Sequence, residues 1–374
     1  MAISPPTSPR SEIHSPRRVN SDVQSVEGIG WLPRLVFWGK VLCASLLLRQ
    51  LGISFIWQVS GAFCAISCFL LLIFLFQERL MYVPVVGGFT TVESNPEGYK
   101  SPGEYGINFE EFFVETLDGE KIHLWYLPTS NEQNIVLLEC HGNAGNMGLR
   151  LPCLSATRSQ LGVGVCIFDY RGFGSSSGTP SEAGMLKDLD AVFNWLKKRL
   201  NGGKIILHGR SVGGSLAVQY AARLGLDKDN NRQFIQGTSL GEPDTSLSTT
   251  SPTGLAGVIV ENTFVSIADL VDTVFPVLKV VPYFLKDALV RVRWETGSWL
   301  KRCSSKIPFL LLSSENDEIA PHSHREELLR IGKMAGLSLE IVTFPNCGHN
   351  DLWVTGGSAY WKSQIRWLNM NCKK

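Results

Sequence analysis

The sequence predicts an α/β fold, with a mostly parallel central sheet, helices on both faces and a small helical lid, preceded by an N-terminal transmembrane helix. Three observations carry this expectation. Short apolar runs that read as strands alternate with amphipathic runs that read as helices, the pattern of parallel strands joined by helical crossovers. One junction, Lys204 to Ala222, reads as strand, sharp turn and helix with Ser211 at its apex. Phe55 to Phe76 is a stretch of 22 residues without a formally charged side chain.

At 374 residues the chain has room for a large core, and α/β domains of roughly 250 residues or more are common. A formal net charge of +1 gives no field suited to a polyanion, so no nucleic-acid partner is expected. The nine cysteines show no Cys-x-x-Cys pair, which excludes the usual zinc spacing, and their odd number argues against a fully paired disulfide framework. Cys140 and Cys166 lie inside strand-like runs and read as buried free thiols.

Residues 1–30 are rich in Ser, Pro and Arg, contain few large apolar side chains, and read as a disordered cytosolic tail. Residues 31–78 form the membrane-anchoring region, with the transmembrane helix at about 55–76. Its length suffices for a hydrocarbon core of about 30 Å, which needs roughly 20 residues. It starts too far from the N-terminus for a cleaved signal peptide and lacks a small-residue cleavage site. A soluble core helix would rarely be apolar on every face.

Arg10, Arg17, Arg18, Arg34, Lys40 and Arg49 precede this span and Arg79 follows it, so the positive-inside rule places the N-terminus in the cytosol. Trp31 to Leu48 is a second apolar stretch, interrupted by Arg34 and Lys40, that fits either an interfacial anchor or the first arm of a hairpin. The expected location is a membrane (endoplasmic reticulum, endomembrane or plasma membrane), with a single pass and the side of the remaining domain open. Cys43, Cys64 and Cys68 fit apolar membrane packing, with palmitoylation as the alternative.

Residues 79–374 read as the α/β domain. Strands are expected at 109–115 and 121–127, joined through the hairpin turn Asp118-Gly119, and then at 135–140, 164–168, 204–208, 256–261, 307–313 and 339–344. Helices are expected within 146–159, interrupted near Pro152, and at 181–200, after Ser211, and at about 357–369. Two segments break the alternation. Residues 226–254 are loaded with Ser, Thr, Asn, Asp and Gly and read as a polar surface insertion. Residues 265–302 are apolar and aromatic and read as a lid or acyl-pocket wall, with ordinary helix packing on the sheet as the alternative.

Gly209-Arg210-Ser211-Val212-Gly213 has the small residues that a strand-to-helix elbow needs two positions either side of its apex. Such a turn exposes a serine and sets the Val212 amide at a helix N-terminus, where it can receive an oxyanion. Serine is a weak nucleophile without a base, and the base needs a carboxylate to orient it. Asp317 follows the strand 307–313 and His349 follows the strand 339–344, so acid and base stand in loops at strand C-terminal ends, where open α/β sheets bind ligands. Glu315, Glu318 and Asp351 rank below Asp317 as solvated loop charges. In His141-Gly142-Asn143, after the first parallel strand, the backbone amide of Asn143 is the expected second oxyanion donor and His141 a loop-shaping residue. His208 and His322 read as structural. No metal-ligand cluster and no dinucleotide fingerprint is present, so no cofactor is expected.

From Glu78 onward the chain resembles the membrane-anchored α/β-hydrolase domain-containing proteins, in particular the type 13 and bud-emergence (Bem-type) groups. The likeness rests on Glu78-Arg79-Leu80-Met81-Tyr82-Val83-Pro84, His141-Gly142-Asn143-Ala144-Gly145-Asn146, Phe168-Asp169-Tyr170-Arg171-Gly172-Phe173-Gly174, Pro180-Ser181-Glu182, Gly209 to Gly214, Glu261-Asn262-Thr263-Phe264, Asn316 to Pro321 and Gly348-His349-Asn350-Asp351. The insertion at 226–254 departs from the compact family pattern. The resemblance implies an α/β-hydrolase fold and a serine hydrolase with nucleophile, acid and base at Ser211, Asp317 and His349. The expected activity is cleavage of carboxylic ester or thioester bonds in an acylated protein or lipid, beside membrane lipids. A catalytically silent membrane scaffold and a prolyl-oligopeptidase-like peptidase are the alternatives.

Overall fold

The computed structural model describes residues 32–50, 55–129, 134–225 and 254–372. The tail at 1–30 and all of the 226–254 segment except Gly254 lie outside the described residues. The chain divides into two compact units, Met1–Leu71 and Leu72–Lys374.

The first unit holds α1 (Leu32–Gln50) and the start of α2 (Phe55–Met81). Within it, Ser45 Oγ donates to Gln58 Oε1 at 2.9 Å. Among the described residues α2 alone contains a window long and apolar enough to cross a membrane, Trp57–Met81, and none of that window is buried. The helix runs past the expected end at Phe76 because Gln77, Glu78, Arg79, Leu80 and Met81 are all good helix formers. The backbone leaves helical geometry only at Phe76, with φ −105° and ψ 15°.

The second unit is built on one eight-stranded sheet: β1 (Glu110–Glu115), β2 (Lys121–Leu127), β3 (Ile135–Cys140), β4 (Gly164–Phe168), β5 (Lys204–Arg210), β6 (Leu255–Glu261), β7 (Phe309–Ser314) and β8 (Leu339–Phe344). Their spatial order is β1-β2-β4-β3-β5-β6-β7-β8. Only β2 runs antiparallel to its neighbours, since the five residues between Glu115 and Lys121 allow a hairpin but no crossover. From β4 to β8 every pairing is parallel.

Helical crossovers cover both faces. They are α3 (Leu151–Leu161), α4 (Glu182–Leu200), α5 (Val212–Gly225), α6 (Ile267–Val274), α7 (Tyr283–Leu289), α8 (Thr296–Leu300), α9 (His322–Met334), α10 (Leu352–Thr355) and α11 (Gly357–Asn371). Pro152 lies in the first turn of α3 and starts the helix instead of interrupting it, because a proline there has no intrahelical N–H to lose. Helix α4 opens on Ser181, whose hydroxyl accepts from Gly184 N, and closes on Lys197, Lys198 and Arg199, which suit the negative end of its dipole. Residues 265–302 fold as α6, α7 and α8 with short connections.

Strand alternation sorts the core. Leu138, Leu207, Val258 and Leu311 face α4 and α5, where they meet Leu189, Phe193 and Leu216. Their strand neighbours Leu137, Ile206, Ile259 and Leu310 face the other way, toward Tyr360, Trp367 and Leu368 of α11. The central strands β3, β4, β5 and β7 are buried almost throughout, as strands covered on both faces must be.

A buried cation ties the hairpin, the loop after β4 and α4 together. Arg171 Nε donates to Asp188 Oδ1 at 2.9 Å, and its Nη1 and Nη2 donate to the Asp118 carboxylate at 3.0 and 3.1 Å. The backbone N–H of Arg171 donates to the other Asp188 oxygen at 2.9 Å. Removing one partner of a buried pair leaves the other charge unsolvated. Asp188→Ala should therefore cost about 3 kcal/mol of stability. Asp118→Ala, whose carboxylate is partly exposed, should cost less. Denaturant titration of the detergent-solubilised protein measures both.

Candidate active site

Strand β5 ends and α5 begins within one residue, so the chain must reverse at Ser211. The turn forces Ser211 to φ 53°, in the left-handed region that non-glycine residues seldom occupy. Two hydrogen bonds hold it there: Ser211 N donates to Glu261 O of β6 at 2.9 Å, and Thr263 Oγ1 donates to Ser211 O at 2.9 Å. The flanking glycines are required by contact distance. A Cβ on Gly209 would lie 2.2 Å from Gly213 O, and one on Gly213 would lie 2.0 Å from Cys140 O. As the first residue of α5, Val212 has an amide with no intrahelical acceptor, which leaves it available to an anion.

Asp317 and His349 come together as their loops predict. His349 Nδ1 lies 2.9 and 2.8 Å from the two carboxylate oxygens of Asp317, and both side chains are almost fully buried. Asp317 Oδ1 also accepts the amides of Ile319 at 2.9 Å and Ala320 at 2.7 Å, so the carboxylate is fixed in orientation. With Nδ1 donating to Asp317, the neutral ring carries its lone pair on Nε2. Among the described residues no hydrogen bond joins Ser211 Oγ to His349 Nε2, a contact that is often long without substrate.

The histidine loop is held to the elbow by side chains that pattern reading did not single out. Arg210, the residue before Ser211, donates through Nη2 to His349 O at 2.9 Å. Asn262 Nδ2 donates to the same carbonyl at 3.0 Å, and its Oδ1 accepts Ser314 N at 2.8 Å. Ser314 Oγ donates to Gly348 O at 2.8 Å. Arg210 and Asn262 stood inside sequence motifs, but nothing in their spacing says which carbonyl they reach. The lower-ranked carboxylates also bind this loop: Glu318 accepts His349 N at 3.0 Å and Asp351 accepts Gly348 N at 2.7 Å. Glu315 is exposed.

The loop after β3 is pinned from three sides. Val83 N donates to Asn143 O and Gly145 N donates to Val83 O, both at 2.9 Å, and Asn143 Nδ2 donates to Met81 O at 2.7 Å. Met147 N donates to Asp169 Oδ1 at 2.6 Å, and Tyr170 OH to His141 O at 2.7 Å. With its side chain and carbonyl engaged, Asn143 keeps a backbone amide that makes no hydrogen bond among the described residues. His141 packs on Tyr170, with ring centroids 4.2 Å apart, and Nδ1 lies 2.7 Å from Gly142 O. Burial, aided by the nearby Arg150 cation, pushes His141 down to about 3, so it stays neutral and shapes the loop. His208 pairs with Glu139 at 2.8 Å in the sheet, and His322 is exposed at the start of α9.

Residues 135–238 match the α/β hydrolase fold family. An uncharacterised membrane protein of Saccharomyces cerevisiae is 30% identical over 288 residues, which cover 76% of this chain and 86% of that protein. Protein bem46 of Schizosaccharomyces pombe is 30% identical over 270 residues, 71% of this chain and 79% of that one. The chain belongs to the α/β-hydrolase family. The Pyrococcus furiosus esterase Pf2001 shares the fold of this α/β-hydrolase, with a TM-score of 0.56 at 15% identity over 78% of this chain and 98% of the esterase.

Against the Asn143 loop of this α/β-hydrolase lies Asp169, fully buried with Oδ2 unpaired. Burial raises its carboxyl to about 7, although the Met147 amide and Arg150 pull it down; the unpaired His123 Nδ1 and His141 Nε2 also face it, at 4.0 and 3.8 Å from its oxygens. The folded protein then keeps a proton that the unfolded chain loses near pH 4, and this carboxyl lowers stability as pH rises from about 4 to about 7. In denaturation series from pH 5 to 8, Asp169→Asn should gain on the wild type up to about pH 7 and then run parallel to it. A gap that does not vary with pH would mean that Asp169 is ionised throughout.

Proposed function

We propose that this α/β-hydrolase is a membrane-anchored serine hydrolase that cleaves carboxylic ester or thioester bonds of acyl substrates through an acyl-Ser211 intermediate. The observation that carries the reading is the His349–Asp317 pair, 2.8 Å apart, on a loop fastened to Arg210 beside the elbow serine. A buried, oriented histidine has little structural use at that point, but it is what a serine at φ 53° needs to lose its proton.

In this reading His349 Nε2 takes the Ser211 proton as Oγ attacks the acyl carbon. The carbonyl electron pair moves onto oxygen, where the amides of Val212 and Asn143 receive it. Asp317 holds the imidazolium that forms. Collapse of the tetrahedral species expels the alcohol or thiol, which takes the proton back from Nε2. Water, deprotonated by the same nitrogen, then attacks the acyl-enzyme, releases the carboxylic acid and restores Ser211.

The single long apolar helix α2 and the membrane protein among the relatives support a single-pass anchor. An anchored enzyme meets substrates already held at the bilayer, so an acylated protein or a lipid is the substrate class assigned.

A fluorophosphonate probe should label the wild type, and Ser211→Ala should abolish labelling while leaving the fold intact by circular dichroism. Asp317→Asn should lower kcat on a short acyl ester by about 10³- to 10⁴-fold, because the imidazole loses its orienting anion. An unlabelled wild type, tested beside a reactive serine hydrolase, would refute the mechanism and favour a silent fold.

A further inference from the structure

The segment that carries α7 is unusual for a protein surface. Phe275, Val280, Phe284, Leu285 and Leu289 are exposed by 55, 86, 69, 44 and 42%, a run of large apolar side chains within fifteen residues. Single exposed hydrophobes need no explanation, but a contiguous apolar patch marks an interaction surface.

Its position names the occupant. Gln77 lies inside the apolar window Trp57–Met81, and its side chain bonds the end of the patch: Nε2 donates to Leu289 O at 2.5 Å and Oε1 accepts Arg291 N at 2.7 Å. Arg291 Nη1 donates to Phe74 O at 3.4 Å, and its guanidinium lies 5.4 Å from the Phe74 ring centroid. A segment bonded to residues 74 and 77 of a membrane span is held at the depth of those residues. The cations beside the patch, Arg79, Lys279 and Arg291, are exposed, as suits phospholipid headgroups, whereas Lys286 is turned inward onto Asp272 at 2.6 Å. Beyond the helix, Val83, Val85 and Val86 are exposed on the chain that pairs with the Asn143 loop.

We propose that residues 275–289 dock into the lipid leaflet from which α2 emerges, with Val280 and Phe284 inserted below the headgroups. The α/β domain is thereby held with its strand C-terminal loops against the bilayer, and acyl substrates reach it from the leaflet. The docking stands on the geometry above; the route of substrate rests on the serine-hydrolase reading.

The test uses the full-length protein in nanodiscs of phosphatidylcholine and phosphatidylserine. A benzophenone amino acid placed at Phe284 should cross-link to phospholipid on illumination, and the same group at Leu117, an exposed hairpin position, should not. Equal lipid adducts at the two sites, or a cross-linked dimer of the chain in place of a lipid adduct, would overturn the docking. For the substrate route, Val280→Glu combined with Phe284→Glu should lower hydrolysis of a bilayer-resident acyl substrate by about tenfold or more. Fluorophosphonate labelling and hydrolysis of a water-soluble short ester should not change. Parallel loss of all three activities would assign these residues to the fold and not to the membrane. If the wild type takes no fluorophosphonate, the hydrolase reading fails while the cross-link still decides the docking.

Discussion

The backbone at Ser211 is the constraint on which the rest depends. A φ of 53° at a serine is unfavourable alone, so the surrounding structure must over-determine it. Strand β6 supplies an acceptor for its amide, Thr263 a donor for its carbonyl, and the carbonyls of Cys140 and His141 leave no room for any side chain at position 213. These contacts come from three adjacent parallel strands, and only the β3-β5-β6 order brings them to one point. The sheet topology and the elbow are thus one device: a hydroxyl lifted clear of the sheet, with a helix N-terminus beneath it.

The Asp317–His349 pair is held in place relative to that hydroxyl. Their loops follow β7 and β8, at the far side of the sheet, where short loops would otherwise wander. Asn262 and Ser314 join the ends of β6 and β7, and both hold carbonyls of the histidine loop, while Arg210 reaches it from β5. The loop therefore moves with the strands and not with solvent. On the opposite side Asp169 and Tyr170 fasten the Asn143 loop to the end of β4. A carboxyl kept fully buried with one oxygen unpaired is destabilising, and its one strong bond, to the Met147 amide, sets the path of the Asn143 loop.

Much of this was legible in the sequence. All eight strands lie within a few residues of their expected ranges; β3, β4, β5 and β7, covered on both faces, are written as short apolar runs, and β1 and β2 as the two arms of a turn at Asp118-Gly119. The turn at Ser211 and the meeting of Asp317 with His349 were legible because the small-residue elbow and the loops after strands are local signals. The ties that position them were not. Arg210, Asn262 and Glu318 act across 139, 87 and 31 residues of sequence, and a polar side chain carries no mark of its distant partner. Helix α2 outran its expected end because the sequence stops being apolar at Gln77 but remains helix-forming to Met81, where hydropathy and helix propensity part.

Gln77 and Met81 at the end of α2, with Tyr82 and Val83 just beyond it, bind several parts of the α/β unit. Gln77 binds the segment of α7, Met81 receives the Asn143 side chain, Tyr82 receives the indole N–H of the fully buried Trp294, and Val83 pairs with the loop around Ala144. Residues 77–83 thus hydrogen-bond both the 265–302 segment and the Asn143 loop, and tie the two to one stretch of chain. The end of α2 is therefore part of the framework of the candidate site: what holds residues 77–83 in place also sets where the Asn143 loop stands.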